Sequence, residues 1–171
     1  GILAGEPESE PAPPEEAAPA EAALAEAAPP AAAPAATWET TAFNDNAWDS
    51  GIAPLGYHDP PLNLDCATII SYGPDPANRY PTAYFRKAFK VINPSVITNL
   101  VLKTRANDGL VVYLNGNELL RQNMPTGNID YTTLATMSLP ATTWTTNSLP
   151  ATGLVQGNNV GAVEVHQAAA A

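Results

Sequence analysis

The feature that most limits what this chain can build is a compositional break at residue 36. Residues 1–36 hold 15 alanines, 8 prolines and 7 glutamates, and no Lys, Arg or aromatic side chain occurs among them. Ile2, Leu3 and Leu24 are the only large apolar side chains of this arm, so burial offers too little against the entropy of ordering the backbone. Residues 20–28 are compatible with a helix behind Pro19, but a lone helix shorter than about 12–15 residues is marginal in water. The arm therefore reads as a proline-stiffened, semi-extended linker that is disordered alone. The alternative is a segment ordered by lying along a partner, with Ile2, Leu3 and Leu24 as its apolar anchors.

The same break relocates the charge. The whole chain carries −10; the arm accounts for −7, and residues 37–171 for −3 together with all seven Lys and Arg residues. That remainder mixes apolar, Thr, Asn and Gly residues as a globular domain does. Residues 37–167 are expected to form one domain, long enough to bury roughly two-thirds of the surface its unfolded chain exposes. Ala168–Ala171 read as a closing alanine tail, placeholder-like in character. Gly1 is not an initiator methionine, which suits a chain that begins after processing.

After residue 36 helical periodicity gives way to short β-rich runs separated by turn residues, the spacing of an all-β sandwich. Tyr80–Ile92 alternates, with Tyr84, Arg86, Ala88 and Lys90 on one side and Phe85, Lys87, Phe89 and Val91 on the other. Asn93-Pro94-Ser95 turns the chain into a second strand over Val96–Arg105. Leu110–Leu114 is a nearly continuous apolar strand, and Asn115-Gly116 is the strongest hairpin signal in the chain, leading to Asn117–Arg121. Ile129–Thr136 and Val160–His166 read as further strands. Residues 44–66 and 138–153 read as long ordered loops, pinned by Trp48, Trp144 and several prolines.

Little in the sequence points to catalysis. No nucleophile elbow, phosphate-cradling glycine loop or zinc signature is present. Cys66 is the only cysteine, which excludes an internal disulfide and reads as a small buried hydrophobe. His166, in a predicted strand, reads as structural, and His58 as a loop residue. Asp45, Asp49, Asp59 and Asp65 are the candidate carboxylate pairs, with Trp48 between the first two. No catalytic residue, cofactor or metal is expected. The negative charge and the lack of a basic stripe exclude nucleic acid and an anionic membrane surface as partners, and no run of about 18 apolar residues is present to span a membrane.

Two strings carry a family resemblance: Phe43-Asn44-Asp45-Asn46-Ala47-Trp48 with Gly51–Tyr57, and Tyr84-Phe85-Arg86-Lys87 with Asn107–Glu118. With Asn123-Met124-Pro125, Asn158-Asn159-Val160 and Val163–Gln167 they resemble the galactose-binding-like jelly-roll domains repeated in large bacterial secreted and surface proteins. The resemblance covers residues 38–167 and none of the arm. It implies an antiparallel two-sheet sandwich of eight or nine strands, located outside the cytoplasm in the periplasm or at the cell surface, with Trp48 packed inside a structural corner. Such domains usually carry a further strand after the Val-Glu-Val-His-Gln run, where this chain has alanines.

Two functions follow as expectations. The first is a non-catalytic accessory subunit that docks onto other protein subunits of a larger extracytoplasmic assembly through its arm and sandwich surface. The second is a carbohydrate-binding module using loops at one end. Asn107 and Asp108 resemble the Asp-Asp-Gly turn of other carbohydrate-binding sandwiches, although Asn in the first position weakens any case for calcium. Tyr57 and Trp144 are the candidate stacking platforms. On sequence grounds the arm tips the balance toward docking.

Overall fold

The computed structural model describes residues 23–24, 37–57, 66–140 and 144–168. Ile2, Leu3, His58, Asp59, Asp65 and Ala169–Ala171 lie outside them. The described residues contain nine strands: β1 (Ala23–Leu24), β2 (Leu55–Gly56), β3 (Thr68–Ile69), β4 (Thr82–Val91), β5 (Asn99–Thr104), β6 (Gly109–Leu114), β7 (Asn117–Gln122), β8 (Thr145–Pro150) and β9 (Gly157–His166). Five form an antiparallel sheet in the order β1–β4–β9–β6–β7. β5 and β8 pair antiparallel as a second, two-stranded layer, while β2 and β3 make a short parallel pair that the antiparallel expectation did not include. The fold is an all-β sandwich.

Period-two alternation decides which side chains meet. On one face of the large sheet stand Thr82, Tyr84 and Arg86 of β4, Ala162, Glu164 and His166 of β9, and Val111 and Tyr113 of β6. Trp38, Phe43 and Trp48 cover part of this face, and Met124, Ile129 and Ala135 cover the rest. The opposite face presents Val91 and Leu114, which pack with Leu154, Ile97, Leu100 of β5 and Leu119 of β7. That cluster is the contact between the two layers.

The hairpin joining β6 to β7 forms where Asn115-Gly116 predicts it, with φ of 52° and 86° at the two residues. Gly109 opens β6 for a different reason: a Cβ there would stand 2.8 Å from the Asn123 carbonyl oxygen and 2.9 Å from the Ala135 Cβ. The glycine of the Asn-Asp-Gly turn is thus a close-packing requirement.

Two sequence readings need correction. Ile129–Thr136 is not a strand. The Asp130 carboxylate accepts from the Thr132 amide at 2.8 Å and from the Thr132 and Thr133 hydroxyls at 2.8 and 3.1 Å, which folds the segment into a turn. Its later amides make isolated bonds, Ala135 to Gln167 and Thr136 to Asn123, instead of a ladder. Residues 138–153 are not all loop, because Thr145–Pro150 forms β8 against the full length of β5; Thr and Asn alternation there is a half-exposed strand without an apolar face. Ala23–Leu24 pair with Arg86 and Phe85 on the β4 edge, so the chain is extended at these two residues.

Candidate functional site

β5 is held by β8 on one side, and its alternation sends Leu100 and Leu102 inward and exposes Asn99, Val101 and Lys103. In β8 the partners of those exposed residues are Pro150, Ser148 and Thr146. The outer face of this ribbon is therefore mixed, with exposed Val101 and Pro150 set among Asn99, Lys103, Thr146 and Ser148, and Asn99 Nδ2 donates to Ser148 Oγ at 2.6 Å across it. One residue beyond the terminal Thr104–Thr145 pair stand Arg105 and Trp144. The Arg105 guanidinium lies over the Trp144 ring, 5.1 Å from its centroid. Trp144 remains 57% exposed in that arrangement. Where the sequence reading has it pinning its loop, Trp144 presents a large aromatic surface to solvent beside Arg105.

Beneath this corner, on the inner side of the ribbon, a depression of about 280 Å³ is lined by Thr104, Asp108, Leu110, Gln122, Leu139 and Thr145, among others. Asp108 is buried in its wall. Its carboxylate accepts from the Leu139 amide at 2.7 Å, the Ser138 hydroxyl at 3.2 Å and the Ala168 amide at 2.7 Å. With those three bonds the carboxylate ties three segments together and has little left for a ligand. Asn107 stands beside it, exposed. Among the described residues no group of three His, Cys, Asp or Glu side chains could hold a metal.

Tyr57 belongs to another cluster. It meets Tyr72 edge-on at 5.9 Å, Arg79 lies 5.2 Å from the Tyr72 ring, and the Tyr80 amide bonded to the Tyr72 carbonyl ties the group to the start of β4. Trp144, Asn107 and Asp108 share one end of the sandwich at the starts of β8 and β6. Tyr57 sits on the β4 side of that end, half-buried among its own neighbours. The carboxylate candidate Asp45 bonds Arg86 Nε at 2.9 Å, which leaves Asp49 without it as a partner for acid–base work. Cys66 is half-exposed, beside Gly56.

The inner face gathers a row of polar groups that no local sequence pattern signals. Arg86 is 4% exposed, and besides Asp45 it donates to the carbonyls of Trp38, Thr40 and Phe43. Tyr113 donates to Glu164 Oε1 at 2.6 Å. His166 Nδ1 lies 2.7 Å from the Thr133 carbonyl, which can only accept, so this nitrogen carries a proton. Its Nε2 stands 3.3 Å from Glu164 Oε2, within ion-pair distance but outside hydrogen-bond geometry. Burial and the Glu164 hydrogen bond push the Tyr113 hydroxyl far above the ordinary phenol range, and burial with the Glu164 charge does the same to Tyr84. A carboxylate and an imidazole this close resemble acid–base machinery. At 4% and 0% exposure, however, no substrate proton comes within their hydrogen-bond reach.

No protein-family model matches the chain, and neither does any curated protein. Solved structures do. A glycosyl hydrolase family 2 member from Bacteroides cellulosilyticus DSM 14838 superposes with a TM-score of 0.53 at 16% identity, over 87% of this chain and 17% of that one. A calcium-binding mutant of Bacteroides uniformis beta-glucuronidase 2 superposes with a TM-score of 0.52 at 15% identity, over 87% of this chain and 14% of that one. The chain thus corresponds to about a sixth of those enzymes' length. At such identities the likeness is one of fold: a β-sandwich that also occurs as a small part of larger glycosidases.

Proposed function

We propose that this chain is a non-catalytic, galactose-binding-like sandwich domain that binds carbohydrate as an accessory part of a larger extracytoplasmic protein. The observation that carries the reading is Trp144, 57% exposed at the end of the ribbon with a cation held over its ring. The exposed indole offers a flat, rigid apolar face with a polar rim beside it, the kind of surface a ligand can cover. The apolar face of a pyranose fits a flat ring, and hydroxyls such as those of Thr146 and Ser148 suit its polar rim. Occurrence of the same fold within a glycosyl hydrolase and a beta-glucuronidase supports an accessory role beside sugar chemistry. The test is retention of the full chain on a panel of immobilised polysaccharides. Binding to at least one glycan, lost in Trp144→Ala with an unchanged melting temperature, is the expected result; no retention on any glycan overturns the reading.

A second reading, docking onto protein partners, draws on the arm. Ala23–Leu24 add a short strand to the β4 edge opposite Arg86 and Phe85, which is how extended segments occupy exposed edges. The contact is made to this chain's own sandwich, so it favours a tether that folds back over one that reaches outward. Removing residues 1–36 and following complex size by native mass spectrometry separates the two: loss of a large complex supports docking, and an unchanged monomer rules it out.

A further inference from the structure

The charge of the β5–β8 ribbon runs against that of the chain. The protein carries −10 overall, yet Asn99–Ala106 contains Lys103 and Arg105 and no acid, and residues 144–157 contain no charged residue at all. The ribbon therefore presents two cations on a protein that is otherwise acidic. Lys103 lies on its outer face, two residues from Arg105, so their backbones are about 6.6 Å apart along the strand.

Arg105 also differs from the other described arginines. Arg86 is bonded to Asp45 and to three carbonyls, Arg121 to Glu118, Pro125 and Gly127, and Arg79 to Pro76. Among the described residues Arg105 has its stacking contact with Trp144 and no hydrogen bond or ion pair. The ring orients the guanidinium and leaves its fork of five donors unoccupied. Such a fork matches a carboxylate, which accepts two parallel hydrogen bonds.

From these observations we infer that the ribbon binds an anionic glycan, one built from sugar residues bearing carboxylates. A hexuronate ring covers the open surface of Trp144 and its carboxylate takes the Arg105 fork. A second acidic residue of the same chain lies against Lys103. The ligand runs along the outer face of β5 and β8. This inference rests on the carbohydrate-binding reading above and adds the class of sugar.

The test is calorimetric titration of the full chain with three hexasaccharides: galacturonate, glucuronate-containing and uncharged galactose. The acidic oligomers are expected to bind at least about tenfold tighter than the neutral one at low salt, with the advantage shrinking as salt rises. Arg105→Gln is expected to remove most of that advantage, Arg105→Lys to keep part of it, and Lys103→Gln to weaken acidic binding a few-fold; Trp144→Ala weakens all three. Equal or tighter binding of the neutral oligomer overturns the inference and leaves the carbohydrate reading standing. Acidic binding indifferent to Arg105→Gln overturns the assignment to this ribbon. Binding of none of the three by a protein retained on a neutral polysaccharide overturns the inference alone, and no retention on any glycan removes both.

Discussion

Arg86 and Arg105 each lie over an aromatic ring, at 5.0 Å from Phe43 and 5.1 Å from Trp144, and there the likeness ends. Arg86 is buried and every direction around it is filled by an acceptor, Asp45 on one side and backbone carbonyls on the others. Arg105, half-buried, has the Trp144 ring and, among the described residues, no hydrogen bond or ion pair. A buried guanidinium is tolerable only when its charge and donors are matched, so Arg86 has become a fastener that draws the 37–48 segment onto β4. A half-buried one needs no such match, and its unused donors are what a ligand can take. The same pairing of residue types serves the fold in one place and is available for recognition in the other.

That contrast predicts a ranking of effects. The largest follows Arg86→Met, which leaves the buried Trp38 carbonyl and the part-buried Thr40 and Phe43 carbonyls without their donor, while Asp45, 37% exposed, turns to solvent; a loss of about 2–4 kcal/mol is expected in chemical denaturation. Gly109→Ala comes next, because the new methyl meets backbone at 2.8 Å; about 1–3 kcal/mol should be lost. Tyr113→Phe leaves Glu164 Oε1 without its donor and should cost about 1–3 kcal/mol by the same assay. Trp144→Ala is smallest, within about 0.5 kcal/mol, since it removes a surface contact only. A large loss in Trp144→Ala, or a small one in Arg86→Met, would erase the distinction between the two arginines.

The buried phenols sharpen the contrast through pH. Tyr84 and Tyr113 are held neutral above the ordinary phenol value of 10.0 by burial first and by Glu164 second. Groups raised in this way contribute stability that is intact below the unfolded value and is lost as pH rises past it, because the unfolded chain releases those protons first. Thermal unfolding should therefore be flat through neutral pH with respect to these groups and fall above about pH 10. Tyr113→Phe should flatten the alkaline decline. At the acid end the exposed Asp130 turn acts in the opposite sense: its carboxyl is held low by Thr132 and Thr133, so its contribution fades as pH falls.

Much of the fold could be read from local pattern. Tyr80–Ile92 and Val160–His166 alternate with period two, Leu110–Leu114 is a nearly continuous apolar run, and Asn115-Gly116 names its own turn. Thr-Thr-Asn-Ser carries no apolar stripe, so only the pairing with β5 makes β8 a strand. The β-branched residues of Ile129–Thr136 mimic a strand, but the Asp130 side chain competes for the amide of Thr132 and folds the segment into a turn. The site was half legible. Trp144 stood out as an aromatic in an apparent loop, and Asn107 and Asp108 as a turn, but the use of Asp108 as a three-way tie depends on Leu139 and Ala168, far away in sequence. Arg105 and Lys103 could not be recognised as a ribbon without β8 beside them, and the burial of Arg86 and Glu164 depends on the layer that covers their face.

The most direct test of the account is amide chemical-shift mapping of the full chain during titration with a glycan that it retains. The account predicts shifts confined to the ribbon, over 101–105 and 144–148, with the amides around Arg86 and Glu164 unmoved. Shifts centred on the β4 edge, on the arm or on the Tyr57 cluster, with the ribbon silent, would contradict it.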